Sequence, residues 1–167
     1  MLEPGLTSGA VARMANTVDI SSGAEPDSLD LDILANLIGY HIHRAQVRVY
    51  RDFLKNVSTG QITPAQYTAL TLIHANPGLS QTALGKVMET DKAPIMGLID
   101  RLQDRGLVQR KRSTRDRRRH ELYLTKLGER TLHKLDDNVI DQDRRLCTNI
   151  SRSEKKKLIE LLRRVYG

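Results

Sequence analysis

Gly106 to Thr125 reads GLVQRKRSTRDRRRHELYLT, and this stretch decides the fold. A short apolar run, Leu107-Val108, enters a strongly basic tip and returns as Leu122-Tyr123-Leu124, the pattern of a two-stranded hairpin. Residues 101–119 hold nine Arg and Lys against two Asp, a local balance of +7 that equals the formal charge of the whole 167-residue chain. The remainder is close to neutral. Charge concentrated on one hairpin and the helix before it predicts an element that grips a polyanion.

The length suffices for one domain with a real core. With one Phe and no Trp, that core must be built from Leu, Ile, Val, Ala and Met. A basic balance favours an anionic partner such as nucleic acid or an anionic membrane surface. No apolar run approaches the ~18–20 residues that span a bilayer. The opening, MLEPGLTSGAVARMANTVDI, lacks a basic start followed by a continuous apolar stretch, so no signal peptide is expected. A single cysteine, Cys147, allows neither an intrachain disulfide nor a cysteine-based zinc cluster. These features predict a soluble cytoplasmic protein.

Upstream, residues 1–27 mix Gly, Ser, Pro and Ala without periodicity and read as a flexible arm, bounded near Glu25-Pro26-Asp27-Ser28. Ser28 or Asp30 is placed to cap the next helix. From about 29 to 56, Leu31, Leu34, Ile38, Ala45, Val49 and Phe53 recur at helical steps, and Ser58-Thr59-Gly60 breaks the pattern. Thr63-Pro64-Ala65-Gln66 is a helix start with a capping box and proline at the first helical position. That helix runs to about Ala75 and stops at Asn76-Pro77-Gly78. Ser80 starts a shorter helix to about Met88. After Glu89-Thr90-Asp91 another covers roughly 92–105, with Ile95, Leu98, Ile99 and Leu102 as its apolar face and Gly106 closing it. Beyond the hairpin, Thr125 caps a long helix to about Ile150. Ser151-Arg152-Ser153-Glu154 is a second capping box, for a final helix through Leu158, Leu161, Leu162 and Val165.

Two short helices joined by a tight turn and followed by a hairpin give the order of a winged helix-turn-helix. The fold expected is mainly α with a small β-hairpin wing. The arm covers 1–27, dimerisation helices cover 28–57 and 126–167, and the DNA-binding lobe covers 58–125. The outer helices are too amphipathic to stand alone and most simply pair with those of a second chain.

At this point the residues resemble the MarR family of bacterial transcription regulators. The matching pieces are Ile62-Thr63-Pro64-Ala65-Gln66-Tyr67, Gly78-Leu79-Ser80-Gln81, and Leu98-Ile99-Asp100-Arg101-Leu102. Arg105-Gly106-Leu107-Val108-Gln109-Arg110, Asp116-Arg117-Arg118 and Leu124-Thr125 complete the set, in register across about residues 30–165. The resemblance implies a triangular homodimer with DNA-reading lobes at two corners. Its members typically repress transcription, and many release DNA when a small phenolic or related ligand binds.

In such an architecture the helix at 92–105 enters the major groove. Its early exposed positions are Lys92, Ala93, Pro94, Met96 and Gly97, with Arg101 one turn on. Many relatives carry Ser, Thr and Arg where this chain has Ala93, Pro94, Met96 and Gly97. Direct readout is therefore expected to lean on thymine methyl contacts and Lys92, with a larger share from groove shape and the wing. By the family's Asp-x-Arg pattern, Arg118 reaches the minor groove while Asp116 braces the hairpin. Arg112, Arg115, Arg117 and Arg119 join it on the wing, with Arg112, Arg115 and Arg119 read as phosphate contacts. A solvated charged loop is the plainer reading of the same run. Ser80 and Gln81 are placed to donate to phosphate, with Ser80 equally a plain cap.

The family binds ligands between the first helix and the DNA-reading lobe. His41 falls in the apolar stripe and is expected to be at least partly buried, as a pocket residue or a hydrogen-bonded core histidine. Arg44 and Arg48 lie one turn apart on one face, suited to a carboxylate or the phosphates of a coenzyme A thioester, or equally to surface ion pairs. Tyr67 matches a family aromatic position and serves either core or ligand. No metal is expected. His41 and His43, two apart on a helix, point away from each other, while His74, His120 and His133 are scattered in sequence. Cys147, among Leu146 and Ile150, reads as a buried structural thiol.

The expected function is a cytoplasmic, homodimeric repressor. It would be released from a pseudo-palindromic double-stranded DNA operator by an aromatic acid or aromatic acyl-CoA, with no cofactor and no membrane partner. A sequence-tolerant architectural DNA-binding protein is the alternative. No G-x-G-x-x-G, Walker loop, H-E-x-x-H or G-x-S-x-G motif occurs, so an enzyme is not expected.

Overall fold

A computed structural model describes residues 29–58, 61–113 and 120–167. The chain divides into two compact units, Met1–Tyr40 and His41–Gly167.

In the first unit, the Asp32 backbone N–H donates to Asp30 Oδ1 at 2.9 Å, and Asp32 takes φ +48°. A 3-10 helix over Asp32–Asn36 follows, and Leu37 is extended (ψ 117°). Helix α1 (Ile38–Asp52) therefore starts well after the position the sequence pattern suggests. The unbroken helix expected from about 29 is corrected here: a short Asp side chain offers the backbone a bond that competes with helix formation.

The far end of α1 also departs from expectation. It widens into a π-helical turn over Phe53–Val57, with Phe53 and Val57 buried, and the Ser58 N–H reaches back to the Phe53 carbonyl at 3.2 Å. Asn138 Nδ2 donates to the Val57 carbonyl at 3.1 Å, and Gln142 Nε2 to that of Val49 at 2.9 Å.

Helix α2 (Pro64–Ala75) begins as read. The Gln66 N–H donates to Thr63 Oγ1 at 3.2 Å, and the Thr63 N–H donates to Gln66 Oε1 at 3.0 Å. Thr63→Ala removes half of this box, so urea unfolding should show a loss of about 1 kcal/mol.

A two-residue strand that the sequence reading missed, β1 (Leu79–Ser80), leads into α3 (Gln81–Val87). Helix α4 (Lys92–Asp104) follows. Gly106 ends it with φ +67°. Its N–H bonds the Gln103 carbonyl at 2.8 Å, while the Leu107 N–H bonds that of Leu102 at 2.9 Å, the paired bonds of a Schellman stop. The hairpin is β2 (Val108–Arg112) and β3 (His120–Leu124), with Val108 opposite Leu124 and Arg112 opposite His120. Strand β1 pairs on the other edge of β3, Leu79 opposite Leu122, giving an antiparallel sheet in the order β1-β3-β2.

The Thr125 hydroxyl starts α5 (Lys126–Leu146), accepting from the Gly128 N–H at 3.0 Å. The helix stops at Cys147, short of Ile150. There the Thr148 hydroxyl takes the Arg145 carbonyl at 2.8 Å, and the Ser151–Glu154 capping box opens α6 (Arg152–Tyr166). Cys147 is half-buried at this helix end, not the buried thiol expected.

Leu70, Ile73, Leu84, Ile99, Leu102, Leu122 and Leu132 are almost wholly excluded from water and belong to one core, joined by Phe53. The core joins α2, α3, α4, the sheet and α5, and so fixes what the outward face of α4 presents. Among the described residues, no helix is long and apolar enough to cross a membrane.

Candidate functional site: a nucleic-acid interface

Helix α4 is divided lengthwise. Ile95, Leu98, Ile99 and Leu102 are buried, as their spacing predicts. Lys92, Ala93, Pro94, Met96 and Arg101 are exposed, and Gly97 is half-buried. Asp91, at the N-cap, makes no side-chain capping bond. A concavity of about 680 Å³ runs beside this face, lined by Lys92, Ile95 and Met96 together with Ser80 and Gln81. Thr82, Lys86 and His120 share it. Sequence reading passed over these three: Thr82 and Lys86 lie further along α3 than the Ser80-Gln81 start it selected, and His120 comes from β3. Ser80 is a true cap: its Oγ accepts from the Ala83 N–H at 3.1 Å, which leaves its hydroxyl proton free to donate outward. Gln81 Nε2 is buried without a hydrogen-bond partner.

On the wing, Arg112 is exposed at the end of β2. Arg115, Asp116, Arg117, Arg118 and Arg119 lie outside the described residues. Part of the basic run is bonded to the protein itself. Arg105 Nη1 donates to the Gln61 carbonyl at 2.6 Å. Arg110 Nη2 lies 2.6 Å from Asp100 Oδ1, and its Nη1 donates to Gln103 Oε1 at 3.1 Å. Lys111 Nζ sits 4.8 Å above the centre of the Tyr123 ring, a cation–π contact. The Tyr123 hydroxyl donates to Glu121 Oε2 at 2.9 Å. This bond, with some burial, pushes the phenol above its ordinary pKa.

A second concavity, about 700 Å³, lies along α1 and its π-helical end. Arg44, Arg48, Arg51 and Lys55 line it with His43 and Asn56. The arginine pair read from the sequence is thus part of a longer cationic row. Asp52 lines the same concavity, its carboxylate accepting from Arg145 Nη2 at 3.1 Å and Asn56 Nδ2 at 2.6 Å. Burial works against its charge, yet these partners outweigh it and hold the carboxyl below its ordinary pKa.

The other expected ligand residues are not brought to this surface. His41 is exposed on the chain, which corrects the burial expected of it. No residue of α1 is buried, because an apolar stripe shows which face avoids water, not what covers it. Tyr67 is half-buried on α2, its ring centre 5.9 Å from that of Phe53 and its hydroxyl donating to Asp136 Oδ1 at 3.0 Å. Burial, and then Asp136, push its phenol above the ordinary pKa. His74 and His133, far apart in sequence, meet with ring centres 5.6 Å apart. His74 Nδ1 is 2.7 Å from Glu129 Oε2. Among the described residues no group of three or more metal-ligating side chains is placed to hold an ion.

Residues 62–120 match the profile of the MarR family. A protein of Thauera aromatica assigned as transcriptional regulator of the hcr operon is 36% identical over 134 residues, 80% of this chain and 81% of that one. The transcriptional repressor CouR bound to a 23-mer DNA duplex superposes with a TM-score of 0.79 at 36% identity, covering 83% of this chain and 99% of CouR. CouR bound to p-coumaroyl-CoA gives 0.76 at 34% identity, over 83% and 97%. The PcaV regulator of Streptomyces coelicolor with its natural ligand gives 0.76 at 29% identity, over 83% and 96%. A winged helix-turn-helix core, the exposed face of α4 and this family match converge: the chain belongs to the MarR family of DNA-binding transcriptional regulators.

Proposed function

We propose that this protein is a homodimeric repressor whose hold on a pseudo-palindromic operator is released by a small aromatic acid or its coenzyme A thioester. The observation that carries the ligand reading is the row of Arg44, Arg48, Arg51 and Lys55 lining one concavity. Guanidinium groups in such a row suit a carboxylate or a chain of phosphates. That CouR binds both a DNA duplex and p-coumaroyl-CoA supports the reading. Dimerisation is supported by the apolar side chains left exposed on the outer helices, among them Val49 on α1 and Leu158, Leu161 and Val165 on α6. A single chain gains nothing by presenting them to water. On DNA, Lys92, Ala93, Pro94, Met96, Gly97 and Arg101 meet the major groove, Ser80 and Gln81 the backbone, and Arg118 the minor groove. Arg112, Arg115, Arg117 and Arg119 complete the grip from the wing.

Footprinting tests the repressor reading: two protected half-sites about one helical turn apart are expected. Uniform coating would instead favour an architectural protein, the reading suggested by the few hydrogen-bonding side chains on α4. For the ligand, Arg44→Ala should raise the concentration of an aromatic acyl-CoA needed for half-release by about tenfold, the worth of one charge-assisted hydrogen bond. DNA affinity without ligand should stay within about twofold. Equal loss of both functions would give Arg44 a structural role.

A further inference from the structure

We infer that Arg110 is a positioning residue for operator reading: without touching DNA, it fixes α4 at one setting against the wing strand. Its backbone belongs to β2, opposite Leu122. Its guanidinium bridges two residues of α4, reaching Asp100 Oδ1 at 2.6 Å and Gln103 Oε1 at 3.1 Å. The side chain is only 21% exposed, and its Nε is buried with no hydrogen-bond partner. With both terminal nitrogens engaged by α4, this cation is not set out towards phosphate.

Apolar packing alone would not set the helix this tightly. Ile95, Leu98, Ile99 and Leu102 hold α4 to the core, but hydrophobic contact is non-directional and tolerates small slides and rolls. A planar guanidinium bonded to two partners does not, because its donors point along fixed directions. The two partners lie three residues apart on one helix face, towards the end of α4 away from Lys92. Lys92 and Asp100 are separated by about 12 Å of helix axis, so a roughly 5° tilt about the tie moves the reading end by about 1 Å. Hydrogen bonds to base edges tolerate a spread of only about 0.5 Å in length.

The test uses the full chain and two duplexes of equal length, one selected by the natural protein from a random pool and one scrambled. Affinities are measured across a salt series. Arg110→Met should lower the ratio of selected to scrambled affinity at least tenfold, while affinity for the scrambled duplex changes less than threefold. Asp100→Asn should lower the ratio similarly. The two substitutions shift the net charge in opposite directions, so a purely electrostatic role would move the affinities apart. Arg110→Lys, which keeps the charge but loses the two-pronged geometry, should fall between. An unchanged ratio overturns the inference, as does a uniform loss for both duplexes with the salt slope reduced by about 0.9, the mark of a phosphate contact. Should Arg110→Met fail to fold, Asp100→Asn, altering a half-exposed carboxylate, decides alone.

Discussion

Gly128→Ala destabilises the protein by about 3 kcal/mol or more, at the upper end of what overpacking costs. In the first turn of α5, a Cβ at Gly128 would lie 2.1 Å from the Leu107 carbonyl oxygen and 3.0 Å from its carbon. Both are backbone atoms, and neither can swing aside. The Leu107 oxygen also accepts from the Thr125 N–H at 3.0 Å. The Thr125 hydroxyl donates to the Gly106 carbonyl at 2.6 Å while accepting from Gly128 itself. Moving the helix off Leu107 therefore breaks its own cap and the stop of α4 together. Thermal unfolding should shift down by roughly 10 °C, at 2–4 °C per kcal/mol for a chain of this size. Gly97→Ala is the contrast. Its Cβ meets only Arg101 Nη1, the far end of a flexible side chain, at 3.4 Å. That variant should gain up to about 1 kcal/mol from helix propensity. Equal melting temperatures for Gly128→Ala and the natural protein would mean that α5 does not pack on Leu107 as described.

Operator affinity falls about a thousandfold as salt rises from 50 to 200 mM. The cations proposed to reach phosphate or groove are Lys92, Arg101, Arg112, Arg115, Arg117, Arg118 and Arg119. With Arg118 assigned to the minor groove, the other six cations, each neutralising one phosphate's worth of charge, give a slope of about −5 in log affinity against log salt, each releasing about 0.9 counterion. Arg105 and Arg110 do not enter this count, because their guanidinium groups bond Gln61, Asp100 and Gln103. Arg105→Ala should accordingly leave the slope unchanged, whereas Arg112→Ala should reduce it by about one. Fluorescence-anisotropy titrations at four salt concentrations measure both. A slope shallower than about −2 would contradict the electrostatic grip.

Local chemistry made most of the fold legible. Thr63, Gln66, Ser80, Thr125, Ser151 and Glu154 act as caps because each needs only three neighbouring residues to do so. Gly106 stops α4 because the backbone there demands a positive φ. The misses are long-range or without a side-chain signature. A π-helical turn at Phe53–Val57 changes no periodic pattern strongly enough to be read. Strand β1 is two residues long and exists only because β3 offers an edge. At the site, the buried and exposed faces of α4 followed from its 3.6-residue period. The engagement of Arg105 and Arg110 by Gln61, Asp100 and Gln103 did not, since a run of arginines shows charge but not direction. His74 and His133 met for the same reason that sequence could not foresee: α2 and α5 bring them together.

The third strand has a mechanical consequence. A free hairpin wing would bend to follow whatever groove it met. Here β3 is held on both edges, by β2 and by β1, and Ser80 of β1 is at once the partner of Glu121 and the cap of α3. Strand and helices are thus tied into one unit, against which the duplex of the proposed complex would be the softer material. In the proposed repressor, misfit is expected to be absorbed by bending or narrowing the DNA, at about 1–6 kcal/mol for a bend of 40–90°. For the proposed repressor, the compliance of the operator's uncontacted steps is then expected to be part of what is recognised.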